Sequence, residues 1–164
     1  MPEKEESNDD AQEHCQTRGR HKTELAFEAP PGDAVCIYTD GASSGNPGPS
    51  GIGVLLRYGE HEKEMSRYIG VATNNIAELE AIRTGLLELK KTDIPVRIFT
   101  DSKYACGVLG RGWKTRKNQE LIASIKEIIS KFKDLKLIKV KGHAGIEGNE
   151  RADILATSAI KNRE

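Results

Sequence analysis

Apolar and polar positions follow two different periods along this chain. Ala34-Val35-Cys36-Ile37-Tyr38-Thr39 is a short, apolar, β-rich run that predicts a buried strand, stopped by Asp40-Gly41 and a Gly/Ser/Pro/Asn cluster reaching Gly51. Residues 52–58 predict a second strand, Gly59-Glu60 a turn, and the weak alternation over 63–69 a third strand at a sheet edge. Such close spacing predicts an antiparallel meander. Thr73 and Asn74 are N-cap candidates for an amphipathic helix marked by Ile76, Leu79, Ile82, Leu86 and Leu89. Residues 96–100 predict a fourth strand, and Asp101-Ser102 opens a short helix carrying Tyr104 and Val108. Leu121 to Phe132 marks another amphipathic helix, 135–140 a fifth strand, and 147 to about 161 a last helix. Strands separated by helices pair in parallel through right-handed crossovers, which joins strands one, four and five. The predicted fold class is α/β, a mixed five-stranded sheet of three antiparallel strands plus two parallel ones, flanked by helices.

Composition narrows this further. The 164 residues, 37% hydrophobic and 30% charged, suit one globular domain. No run approaches the length of a membrane span, and the Met1-Pro2-Glu3-Lys4-Glu5-Glu6 start lacks the basic-then-apolar order of a signal peptide. The expectation is a cytoplasmic protein without a membrane partner. Cys15, Cys36 and Cys106 are odd in number and form no CxxC pair, so reduced thiols are expected. The formal charge of zero hides an asymmetry: residues 1–33 hold 4 Lys or Arg against 9 Asp or Glu, and the remainder 21 against 16. An acidic and compositionally disordered tail, 1–33, therefore precedes a mildly basic domain, 34–164, of the kind that suits polyanionic partners. His14, Cys15 and His21 in the tail lack a fourth ligand at metal-binding spacing.

Four acids then stand out. Asp40 and Asp101 end apolar strands, Glu78 lies one turn into the first helix, and Asp153 lies inside the last. If strands one and four are parallel neighbours, Asp40 and Asp101 stand about 5 Å apart and repel unless a positive charge lies between them. Each has an ordinary reading as well: turn or cap aspartates for Asp40 and Asp101, a solvated helix face beside Glu80 and Arg83 for Glu78, and pairing with Arg151 for Asp153. The topology nevertheless converges all four on one sheet edge. Four carboxylates without cysteine suit hard, oxygen-preferring cations, Mg²⁺ or Mn²⁺, and a pair of such ions suits phosphodiester displacement.

Thr39-Asp40-Gly41-Ala42-Ser43-Ser44-Gly45-Asn46-Pro47-Gly48-Pro49, Thr73-Asn74-Asn75-Ile76-Ala77-Glu78-Leu79, Thr100-Asp101-Ser102-Lys103-Tyr104, Lys141-Gly142-His143-Ala144-Gly145 and Gly148-Asn149-Glu150-Arg151-Ala152-Asp153 resemble type 1 ribonuclease H. The blocks stand in the family's order, with Gly112-Trp113-Lys114 between the third and fourth, and the resemblance covers about residues 34–161. It implies a ribonuclease H-like fold and an endonuclease, acting as a monomer, that hydrolyses the RNA strand of RNA–DNA hybrids to 5′-phosphate and 3′-hydroxyl ends. It implies two Mg²⁺ ions, or Mn²⁺ in their place. Asp40 bridges both, Asp153 holds the ion that activates water, Glu78 and Asp101 hold the ion beside the leaving oxygen, and His143 assists proton transfer or product release. Gly41, Ser43, Asn46, Asn74 and Asn75 match positions that contact the hybrid in its groove, Thr73 a phosphate pocket, and Lys103, Trp113 and Lys114 further hybrid contacts. The chain departs from many bacterial members between Tyr104 and Leu121, where Arg111, Lys114, Arg116 and Lys117 form a reduced version of a basic protrusion. A non-catalytic hybrid-binding module is the alternative.

Overall fold

The computed structural model describes residues 32–142 and 145–163. The tail to Pro31, with His14, Cys15 and His21, lies outside the described residues, as does His143. Strands β1 (Val35–Ser43), β2 (Gly48–Tyr58) and β3 (His61–Ala72) are followed by helix α1 (Asn74–Leu87) and strand β4 (Val96–Thr100). Helix α2 (Lys103–Cys106) runs into a π-helical turn over Gly107–Arg111. Helix α3 (Gln119–Ser130), strand β5 (Leu135–Lys139) and helix α4 (Glu147–Lys161) complete the order. The sheet reads β3-β2-β1-β4-β5, antiparallel through the meander and parallel from β1 to β4 and from β4 to β5. This is the predicted mixed sheet.

Two boundaries differ from the sequence reading. β1 does not stop at Asp40-Gly41, because its ladder with β2 continues from Asp40 opposite Gly53 to Ser43 opposite Ser50. Much of the Gly/Ser/Pro/Asn cluster is therefore strand, and only residues 44–47 turn. α1 ends before Leu89, since the amides of Glu88 and Leu89 turn back onto the carbonyls of Gly85 and Leu86.

Side chains alternate across a strand, so Ile37, Thr39 and Gly41 share one face of β1, and Tyr38 and Asp40 the other. Helix α1 covers the first face. Ile37, Ile52, Val54, Leu79, Ile82, Leu86, Ile98 and Ile125 are fully buried there, each worth about 1.5–3 kcal/mol on burial. Helix α4 covers the second face and lies almost directly on the backbone of β2. A Cβ on Gly53 would stand 2.1 Å from the Ala152 carbonyl oxygen, and one on Gly51 2.6 Å from that of Ala156. Cys36 and Cys106 carry reduced thiols. No described helix is long and apolar enough to cross a membrane.

Candidate active site

β1 and β4 run parallel with Tyr38 opposite Phe99, so Asp40 and Asp101 leave the same edge of the sheet. At the next residue, Gly41 faces α1 so closely that a Cβ there would lie 2.4 Å from the Ala77 carbonyl carbon and 2.5 Å from the Glu78 amide nitrogen. Only glycine lets α1 approach that far, and the approach carries Glu78 to β1. One carboxylate oxygen from each of Asp40, Glu78 and Asp101 lies within 4.8 Å of the others. Asp153 arrives from the opposite face. Its neighbour Ala152 sits over Gly53, the β2 residue paired with Asp40, and the Asp153 carboxyl is close enough to Asp40 to raise its pKa.

The ordinary readings of these acids are displaced one by one. The cap of α2 is Ser102, whose hydroxyl accepts the Ala105 N–H at 3.0 Å, so Asp101 is not needed for it. Asp40 lies inside a strand ladder rather than in a turn. Glu80, not Glu78, pairs with Arg83. Arg151 reaches Glu62, Glu64 and Glu147 rather than Asp153.

The electrostatics suit a proton or a cation among these acids. Burial pushes Asp40 up to about 8, helped by the nearby Asp101 charge and by Asp153, against a lowering hydrogen bond from the Gly41 backbone. Burial likewise holds Glu78 well above the usual carboxylate range, helped by Asp40 and Asp101. Although Glu78 as a residue is partly exposed, its Oε1 is buried and has no hydrogen-bond partner among the described residues. An orphaned carboxylate oxygen in an all-oxygen cluster fits a hard divalent ion, which would supply the missing partner.

A pH dependence follows with a definite sign. A carboxyl whose folded pKa exceeds its unfolded value stabilises the fold fully below the unfolded pKa and loses that contribution as pH rises through the folded one. Without divalent ions, thermal unfolding should therefore move to lower temperature between about pH 4 and about pH 8. Mg²⁺ should restore stability most at the alkaline end, where protons no longer compete for the oxygens. Melting curves in EDTA and in Mg²⁺ across this range check it, and an Mg²⁺ increment independent of pH would contradict it.

The other residues singled out in the sequence line the rim in two groups. The Ser43 hydroxyl donates to the carbonyl of Gly45 and, at 3.1 Å, to that of Ala72, and accepts from Ser50. Asn46 Oδ1 accepts the Asn74 N–H at 2.9 Å, and Thr73 rather than either asparagine caps α1 by accepting the Ile76 N–H. The β1–β2 turn is thus latched to the start of α1, leaving Asn74 and Asn75 exposed. Lys103 opens α2 two residues after Asp101. Trp113 lies on Gly107, where a Cβ would meet the indole at 2.3 Å. Trp113 and Lys114 line an open groove of about 300 Å³ with Gln119 and Lys126 of α3. Gly142, the residue before His143, passes beside the cluster: a Cβ there would lie 2.9 Å from Asp101 Oδ2.

The sequence reading missed Gly53 and took Gly41 as a strand stop and a substrate contact. The signal was present for Gly53, since a glycine inside an apolar strand marks close approach of another backbone.

The family model RNase H matches residues 32–161. A ribonuclease H of Syntrophomonas wolfei subsp. wolfei is 39% identical over 142 residues, spanning 78% of this chain and 97% of the relative. The structure of LC11-RNase H1, isolated from compost by a metagenomic approach, superposes with a TM-score of 0.69 at 34% identity, covering 79% of this chain and 96% of that one. LC11-RNase H1 in complex with an RNA/DNA hybrid gives a TM-score of 0.65 at 32% identity, covering 77% and 96%.

Proposed function

The chain belongs to the ribonuclease H family, and from that premise we infer that it is a metal-dependent endonuclease hydrolysing the RNA strand of RNA–DNA hybrids. The observation that carries the reading is the convergence of Asp40, Glu78 and Asp101 on one sheet edge, with Asp153 close enough to Asp40 to raise its pKa. These four would hold two Mg²⁺ ions, with Mn²⁺ able to replace them. Held there, the ions would supply Lewis-acid chemistry, lowering the pKa of a bound water and neutralising charge on the reacting phosphate.

The chain's own residues do the rest. Asp40 and Glu78, both held above the usual carboxylate range, would give up their protons on loading, which the Gly41 backbone eases for each. Gly41, Ser43, Asn46, Asn74 and Asn75 contact the minor groove of the hybrid, where 2′-hydroxyls distinguish RNA from DNA. Thr73, at the N-terminus of α1, takes a phosphate. Lys103, Trp113 and Lys114 hold the hybrid beside the cluster. The catalytic domain is residues 34–164, preceded by the acidic tail of 1–33, and the chain acts as a monomer in the cytoplasm.

Products test the reaction type. RNA fragments should carry 3′-hydroxyls that a polymerase extends without phosphatase treatment. Blocked, cyclic-phosphate ends would sink the reading.

His143 assists proton transfer or product release, so His143→Ala should slow turnover by about 10²-fold without abolishing it, the low end of what general acid–base assistance is worth. Steady-state rates at saturating Mg²⁺ check this. Unchanged turnover would remove His143 from the mechanism.

Hybrid affinity should be weaker, and less steeply salt-dependent, than in relatives with a full basic protrusion, since Arg111, Lys114, Arg116 and Lys117 near Trp113 are a reduced version of it. Lys114→Ala should lower the slope of log affinity against log salt by about 1. Salt-titrated binding measures both, and an unaltered slope would take Lys114 out of the interface.

A further inference from the structure

We propose that Arg151, held by Glu62, Glu64 and Glu147 and braced by Arg57, is a positioning residue that sets how Asp153 meets divalent ions. The proposal rests on the reading of Asp153 as a ligand.

The need for such a device follows from how α4 is seated. Its backbone rests on Gly51 and Gly53, with Ala152 and Ala156 carbonyl oxygens facing positions that have no side chain. A glycine seat allows close approach but offers no knob to resist sliding or rolling of the helix. Arg151 lies two residues before Asp153, about 200° round the helix. While Asp153 turns toward Asp40 on β1, Arg151 therefore turns toward the opposite edge of the sheet, at β3.

There Arg151 makes a fork. Its Nη2 lies 2.6 Å from Glu64 Oε2 and 3.0 Å from Glu62 Oε1, and its Nη1 lies 3.0 Å from Glu147 Oε2. Arg57 closes the loop from β2, with Nε 2.7 Å from Glu62 and Nη2 2.8 Å from Glu147. The Arg57 guanidinium also stands 5.6 Å above the Tyr38 ring, and a Cβ on Gly148 would meet that ring at 2.6 Å. Two guanidinium groups and three carboxylates thus tie the first turns of α4 to β2 and β3. The side chains are 28–61% exposed, so solvent screens each pair and they add little to stability. What planar, forked bonds add is direction. They fix the rotation and height of the helix, and with it the place of Asp153.

The test uses the intact chain and Mn²⁺ alone, with binding followed by the electron paramagnetic resonance of free Mn²⁺, beside kcat and KM for hybrid cleavage. Arg151→Met should weaken Mn²⁺ binding by about 10-fold, the usual scale for a partner that orients a ligand, and leave KM for the hybrid unchanged. Arg151→Lys should fall between, because an ammonium cannot fork. Adding Glu64→Gln to Arg151→Met should cost less than it does in the native background. Arg163→Met, at the far end of α4 with its guanidinium 5.8 Å from the Tyr68 ring, should change nothing. Native Mn²⁺ affinity in Arg151→Met, with affinity lost in Asp153→Asn, would overturn the proposal and leave the ligand reading standing. Native affinity in Asp153→Asn would overturn both. If Arg151→Met does not fold, Arg151→Lys and Glu64→Gln carry the test, and unchanged Mn²⁺ binding in both would overturn it.

Discussion

Asp40→Asn is expected to remove hybrid cleavage by at least about 10³-fold, equivalent to about 4 kcal/mol of transition-state stabilisation, while the protein stays folded. Asp40 is central to the cluster: one of its oxygens lies within 4.8 Å of one from each of Glu78 and Asp101, and Asp153 is close enough to raise its pKa. The amide keeps the size and hydrogen-bonding capacity of the acid but cannot supply a charged ligand. Removing a buried carboxyl that is pushed up to about 8 should also raise the melting temperature of the metal-free protein at and above neutral pH, because the repulsion it brings disappears. The stabilising increment from Mg²⁺ should shrink in the same variant. Cleavage rates and melting curves with and without Mg²⁺ measure the three effects together. Activity retained in a folded Asp40→Asn protein would make Asp40 a structural residue and remove the basis of the site.

Gly41→Ala is expected to lower kcat by about 10²-fold and to destabilise the fold by about 1–3 kcal/mol. The added methyl would lie 2.4 Å from the Ala77 carbonyl carbon, 2.5 Å from the Glu78 nitrogen and 2.7 Å from the Ala77 Cβ. None of these atoms belongs to a flexible side chain end. α1 cannot retreat freely, since Thr73 caps its start, Asn46 holds Asn74, and Gly85 lies against Ile37. The strain must fall on the local approach of Glu78 to Asp40. Denaturant unfolding and steady-state kinetics at several Mg²⁺ concentrations separate the two costs. A stability loss with native kcat would mean that the close approach serves packing alone.

How far the site could be read in the sequence depends on the range of the interaction. Local signals were legible: the alternation of β1 to β3, the Thr73 cap, the Ser102 turn and the 3.6-residue period of α3 each rest on neighbours in sequence. Asp40-Gly41 misled as a strand end because the residues that hold it in the ladder, Gly53 and Ile52, lie across the meander. Glu78 and Asp153 were ambiguous for the same reason. Their orientation is set by α1 lying on Gly41 and α4 on Gly53, contacts no local pattern encodes. The fork from Arg151 to Glu64 joins residues 87 apart, and nothing in the chain distinguishes it from any surface charge. His143 was marked only by family resemblance.

The most direct measurement is cleavage of a 5′-labelled RNA strand annealed to DNA, run beside RNA–RNA, DNA–DNA and single-stranded controls, with Mg²⁺, with Mn²⁺ and with EDTA. The account predicts cutting of the RNA strand in the hybrid alone, dependent on either ion and abolished by EDTA. Cutting that persists in EDTA, or hybrid binding with no cutting under any ion, would contradict it and leave the four carboxylates without the chemistry assigned to them.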